Sequence, residues 1–154
     1  MSGSRVAIAR SYHHIRMNVR TIDQLLAEAR ARLTRLDPRE AAAAVRDGAL
    51  LIDIRSESQR AEDGVVPGAV FVARNVLEWR CDPTSEHRDA RIDGRERQLI
   101  IMCNEGYQSS LAAATLHDLG LTRTTDLAGG FQAWRAAGLP VEREEWRDGL
   151  RPSR

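Results

Sequence analysis

The chain has 154 residues, enough for one domain with flanking segments, and its 42% apolar content is ordinary for a protein that buries a core in water. A net charge of +1 gives no overall case for nucleic acid, and no apolar run approaches the roughly 18 residues that a membrane span needs. Two cysteines are too few for a disulfide scaffold, and no Cys-x-x-Cys or His-x-x-x-His pattern lies near either of them, so no metal is expected.

Residues 1–20 hold Arg5, Arg10, Arg16 and Arg20 without an acidic residue or a clear period, and read as a flexible arm. No apolar leader is seen, so a cytoplasmic protein is expected. The spacing then predicts a helix over 21–33, opened by Thr21 and Gln24 as a capping box, with Ile22, Leu25, Leu26, Ala29 and Leu33 on one face. A second helix over 36–48 has Asp37 as its cap, Pro38 at its first position and Gly48 as its stop. "ALLIDIR" (49–55) is a continuous apolar run, the pattern of a strand buried on both faces. A polar turn or short helix at 56–64 precedes a Pro-Gly turn and a second strand around 69–73. A helical turn at 75–80 and an aperiodic polar connection over 81–97, which contains Cys81, lead to a third strand at 98–102. A helix over 108–120 follows, ended by Gly120, then a fourth strand within 122–130 and a helix over 131–141 ended by Gly138 and Pro140. The tail over 143–154 is charged. Alternating helices and buried strands imply an α/β fold, a small parallel sheet with helices on both faces.

Ligands of such sheets bind outside the carboxyl ends of the strands, which is where Cys103 falls. A cysteine there is a buried filler, a metal ligand, a disulfide partner or a nucleophile. The stretch "CNEGYQSS" that it opens favours the last. Only the thiolate is nucleophilic, and successive backbone N–H groups of a tight loop can hold an anion without a metal. The helix beginning near Gln108 adds partial positive charge, and Gly106 allows the left-handed backbone that such a loop requires. Ser109 and Ser110 are candidates to cap that helix or to bond to a sulfur anion.

From about Asp37 to Val141 the chain resembles the rhodanese-like domain family, small single-domain sulfurtransferases. The likeness rests on "LIDIR" (51–55), "GVVPGAV" (64–70), "CNEGYQS" (103–109) and "LAGGFQAWRAAGLPV" (127–141), in that order. It implies a rhodanese-like domain at 37–142, which the composition and periodicity above flank with an arm at 1–20, a helical segment at 21–36 and a tail at 143–154. It also implies that Cys103 accepts a sulfane sulfur and carries it as a persulfide. Asn104, Glu105, Gly106, Tyr107, Gln108 and Ser109 match the loop that cradles this sulfur, and Asp53 and Arg55 match the family's Asp-x-Arg. Gly129, Gly130 and Trp134 match a structural segment. Arg74, after the second strand, is a candidate cation for an anionic substrate.

The expected partners are a small sulfur donor and a thiol or cyanide acceptor, with a protein acceptor as a further partner. No cofactor, nucleic acid or membrane is expected, and the chain is read as a monomer or homodimer. Val65 stands where the family's Gly-His-Ile-Pro-Gly-Ala stretch usually has His, and two further features bear on the donor. Gln108 stands where many relatives carry Arg, and Glu105 adds negative charge to the loop, so thiosulfate is disfavoured relative to mercaptopyruvate or a persulfide. The rival functions are a non-turnover persulfide carrier or regulatory rhodanese-like module and, less favoured, a cysteine phosphatase of the related fold, whose loop ends in Arg. Cys81 and His117 are read as incidental, with His117 pointing outward, and Trp79, Trp134 and Trp146 as packing residues.

Overall fold

The structure, a computed structural model, describes residues 19–92 and 94–143. Nearly all of the expected arm and tail, and Trp146, lie outside those residues. Among the described residues, β1 (Leu50–Asp53), β2 (Val70–Phe71), β3 (Leu99–Met102) and β4 (Thr125–Asp126) form one parallel sheet in the order β2-β1-β3-β4. β1 and β3 are buried along their whole length, which is why each reads as an unbroken apolar run.

Alternation along the two central strands divides the core between the faces of the sheet. Leu50 and Ile52 of β1, with Leu99 and Ile101 of β3, pack against α4 (Leu77–Cys81) and α5 (Gln108–Asp118). Leu51, Ile100 and Met102 face the other way, against Ala41 of α2 (Pro38–Arg46) and Phe131 and Trp134 of α6 (Gly130–Ala136). Helices therefore cover both faces, as the element order implies. α3 (Glu57–Asp63) crosses between β1 and β2 at the carboxyl end of the sheet. Register sets Asp53 beside Met102, so the segments that leave β1 and β3 emerge next to each other.

Local chemistry explains the helix starts. Thr21 and Gln24 form the predicted capping box of α1 (Ile22–Ala31), and Asp37 with Glu40 forms that of α2, with Pro38 first in the helix. α1 packs on α5 through a narrower stripe than the periodicity predicts. Ala29 is buried, whereas Ile22 and Leu25 are exposed.

Three further expectations are corrected. Cys81 does not sit in a polar loop. It closes α4 and is buried one turn after Leu77 on the same helical face. Trp79, on the opposite side of that turn, is 56% exposed and packs little, while Trp134 is buried with its indole N–H on the Pro140 carbonyl. His117 does not point freely outward, since its Nε2 meets the Thr124 carbonyl oxygen at 2.6 Å.

Candidate active site

The sheet releases the chain at Met102, whose carbonyl still accepts the Ile54 N–H. The next two carbonyls turn to α6. Cys103 O accepts from Phe131 N–H at 2.9 Å and Asn104 O from Gln132 N–H at 3.1 Å. Both donors lie in the first turn of α6, where N–H groups have no partner inside the helix. This approach requires glycine: Gly129 and Gly130 have φ of +74° and +61°, and a Cβ on Gly130 would come 2.5 Å from Cys103 O.

The middle of the loop is pinned differently. Gly106, at φ +86°, directs its N–H onto Cys103 Sγ at 3.1 Å. Its carbonyl accepts from Arg30 Nη2 at 2.8 Å and Arg35 Nη2 at 2.9 Å. A trans peptide points its N–H opposite to its C=O, and no peptide here is cis. With the carbonyls of Cys103, Asn104 and Gly106 all drawn to partners outside the loop, the N–H groups of Asn104, Glu105 and Tyr107 face the opposite way.

Ser109 and Ser110 neither cap α5 nor reach the sulfur. Both hydroxyls donate to Asp126 Oδ2, at 2.8 and 2.7 Å. Asp126 is fully buried at the end of β4, and Arg35 completes its shell through Nε at 2.9 Å. Five residues thus interlock behind the loop: Arg30, Arg35, Ser109, Ser110 and Asp126.

The front of the loop is a hollow lined by Cys103, Asn104, Glu105, Tyr107 and Gln108, with Gln59 of α3 across from them. Cys103 is only 2% exposed and stands at its floor. A second hollow, containing Ser56, Phe71 and Arg74, shares Gln59 and Gln108 with the first. Arg74 lines it but is tied to Glu78 through Nη1 at 2.7 Å.

Asp53 and Arg55 are both buried and paired through two hydrogen bonds, Nε to Oδ1 at 3.1 Å and Nη2 to Oδ2 at 2.8 Å. Arg55 also donates to Gly64 O and lies with Cζ 3.7 Å from the centre of the Phe131 ring. Phe131 is the residue whose N–H holds Cys103 O, so this ion pair stands beneath the first peptide of the loop.

Cys81 is no partner for Cys103. Both are free, and burial, with Glu78 and Asp89 adding, pushes the Cys81 thiol up to about 12. Among the described residues no cluster of His, Cys, Asp and Glu has the arrangement of a metal site.

A cysteine at the carboxyl end of a central parallel strand, opening a glycine-bent loop held at its back by a Gly-Gly turn, is matched by one family model, the rhodanese-like domain, over residues 37–137. The chain belongs to the rhodanese-like domain family. Among relatives of this rhodanese-like chain, a sulfurtransferase of Allochromatium vinosum is 32% identical over 92 residues, 60% of this chain and 77% of that protein. The thiosulfate sulfurtransferase GlpE of Pseudomonas syringae is 30% identical over 101 residues, 66% of this chain and 86% of that protein. Two solved structures are similar. One is a protein of unknown function from Rhodopseudomonas palustris, described as a possible tyrosine phosphatase. It is 32% identical with a TM-score of 0.74, over 82% of this chain and 98% of that one. The other is a thiosulfate sulfurtransferase of Pseudomonas aeruginosa, 27% identical with a TM-score of 0.59, over 73% of this chain and 20% of that one. Among the described residues of this rhodanese-like protein, no helix is long and apolar enough to cross a membrane.

Several residues around the rhodanese-like loop are not evident from sequence. Asp126 hides in a short polar stretch, Gln59 sits on a short helix, and Arg30 and Arg35 precede the matched region in a chain whose 23 basic residues are all Arg. Only the Thr-Asp-Leu-Ala-Gly-Gly context offered a signal for Asp126. None existed for the two arginines.

Proposed function

We propose that this chain is a sulfurtransferase that moves sulfane sulfur through a persulfide on Cys103. The observation that carries the reading is the Gly106 N–H on Cys103 Sγ at 3.1 Å, in a loop whose neighbouring carbonyls are drawn away from the hollow. Such amides favour negative charge on the sulfur, and on a second sulfur joined to it, over the neutral thiol. The cycle is two displacements. The Cys103 thiolate attacks the outer sulfur of the donor, the donor's sulfur–sulfur or carbon–sulfur bond breaks, and its electron pair leaves with the remainder. Cys103 is then a persulfide. A thiolate or cyanide attacks the terminal sulfur, and the departing electron pair restores the Cys103 thiolate, so no external oxidant is consumed.

Glu105 at the mouth and the Glu78 partner of Arg74 both reduce the pull on a doubly charged donor. This supports mercaptopyruvate or a persulfide ahead of thiosulfate. The carrier reading differs only in lacking a free acceptor step. A phosphatase reading draws on the description of the Rhodopseudomonas palustris protein. It is disfavoured because, among the described residues, no guanidinium lines the Cys103 hollow to clamp a phosphoryl group: Gln108 and Ser109 stand at the loop's end, and Ser109 is turned onto Asp126.

Mass spectrometry after incubation with each donor tests the proposal. A gain of one sulfur on Cys103, lost in Cys103→Ser and kept in Cys81→Ser, supports it. Loading without multiple turnover favours the carrier. Turnover of an aryl phosphate with no sulfur loading overturns the reading in favour of the phosphatase.

A further inference from the structure

We infer that Arg30 and Arg35, which precede the family-matched region, are positioning residues for the Cys103 loop, so that α1 and the segment after it are part of the active unit. The inference rests on Cys103 being the nucleophile. Gly106 is the loop residue with the greatest backbone freedom, and its N–H is the group that faces the sulfur. The peptide that its carbonyl shares with the Tyr107 N–H is set from the back. One carbonyl oxygen accepts two guanidinium donors, at 2.8 Å from Arg30 and 2.9 Å from Arg35, which occupies both of its lone pairs. Rotation of the Gly106–Tyr107 peptide would strain these charge-assisted bonds, so the arginines hold the Tyr107 N–H in place and anchor the carbonyl side of Gly106, the residue whose own N–H meets the sulfur.

The two arginines are not equivalent. Arg35 is neutralised by Asp126, which it meets through Nε and Nη2. Arg30 donates its Nε to the Ser110 hydroxyl and lies 5.5 Å from the centre of the Tyr107 ring, and among the described residues it has no carboxylate partner. Arg30 therefore brings an uncompensated positive charge to a loop whose own side chains carry only Glu105 and no cation. The charged or titratable groups that surround the loop are Glu105 and Tyr107 within it, Arg30 and Arg35 behind it, Asp126 beneath α5, and the Asp53–Arg55 pair beneath Phe131. Gln108 lacks the charge that a loop-borne Arg would supply, and Arg30 delivers one from outside the loop.

The test is the pH dependence of Cys103 alkylation by iodoacetamide, mapped by mass spectrometry on the full chain, with a thermal melt recorded for each variant. Arg30→Met is expected to slow alkylation about three- to tenfold on the acid side of the profile. Arg30→Lys, which keeps the charge, restores most of the rate. Arg32→Met is the control: Arg32 also ties α1 to α5, through Asp118 at 2.7 Å, but stands away from the loop. It is expected to leave the profile unchanged. If Arg30→Met does not fold, Arg30→Gln is read in the same way. A folded Arg30 variant with the wild-type profile, or an Arg32→Met shift of the same size, overturns the inference. Alkylation needs no sulfur donor, so a chain that never loads sulfur but shows the Arg30 effect refutes the proposed function alone.

Discussion

Gly130 lies so close to Cys103 that a side chain and the active loop compete for one space, a Cβ falling 2.5 Å from Cys103 O and 2.7 Å from Asn104 O. The backbone of Gly130 is also left-handed, at φ +61°. Gly130→Ala is therefore expected to displace the first two loop peptides. Strain and overpacking together cost about 1–3 kcal/mol, read by urea unfolding. Sulfur loading of Cys103 falls by about tenfold or more, since small misplacements of a reacting group are expensive. A variant with wild-type loading would show that the loop does not depend on this contact.

Asp126 is the anchor behind the loop, accepting from Ser109, Ser110 and Arg35 while fully buried. Removing the buried carboxylate leaves the partly exposed Arg35 uncompensated and two buried hydroxyls without their acceptor. Asp126→Ala is expected to lower the unfolding free energy by about 3 kcal/mol. The Asp126→Ala/Arg35→Met double variant should lose less than the sum of the single losses. Strict additivity in that cycle would mean that the pair does not interact as described.

Cys81 is predicted to be chemically silent. Its thiol is raised from 9.0 to about 12 by burial first and by Glu78 and Asp89 second. The folded state therefore holds a proton that the unfolded chain releases. The stability contributed by this group is complete below pH 9.0 and declines as pH rises toward about 12. The expected slope is about 1.4 kcal/mol per pH unit within that window, and Cys81→Ala should abolish this part of it. Denaturant titrations across the window, variant against wild type, measure the difference. Iodoacetamide should label Cys81 only after unfolding.

Glu105 is exposed on the rim of the Cys103 hollow. Glu105→Gln removes a charge that opposes a dianionic donor, and about a threefold rise in kcat/KM for thiosulfate is expected at low ionic strength. Added salt should shrink the gain. An unchanged or lower rate at low salt would show that this carboxylate does not govern donor choice.

Much of the architecture was legible along the chain because it is encoded locally. The apolar runs around β1 and β3, the caps at Thr21 and Asp37, and the stops at Gly48, Gly120 and Gly138 each act within a few residues. Cys103 was legible for the same reason, since strand, loop and helix are contiguous there. Exposure of Ile22 and Trp79 was not legible, because periodicity names an apolar face without saying what meets it.

By itself, then, the sequence determined a parallel α/β sheet with a cysteine at the carboxyl end of a central strand, and the glycines that let its loop bend. Only the tertiary structure decided how that loop is held. Arg30 and Arg35 reach Gly106 across 76 and 71 residues, and Asp126 draws Ser109 and Ser110 away from the sulfur. Such contacts depend on side-chain direction and distance after the chain has closed on itself. A pattern of residue types carries neither, least of all where every basic residue is an arginine.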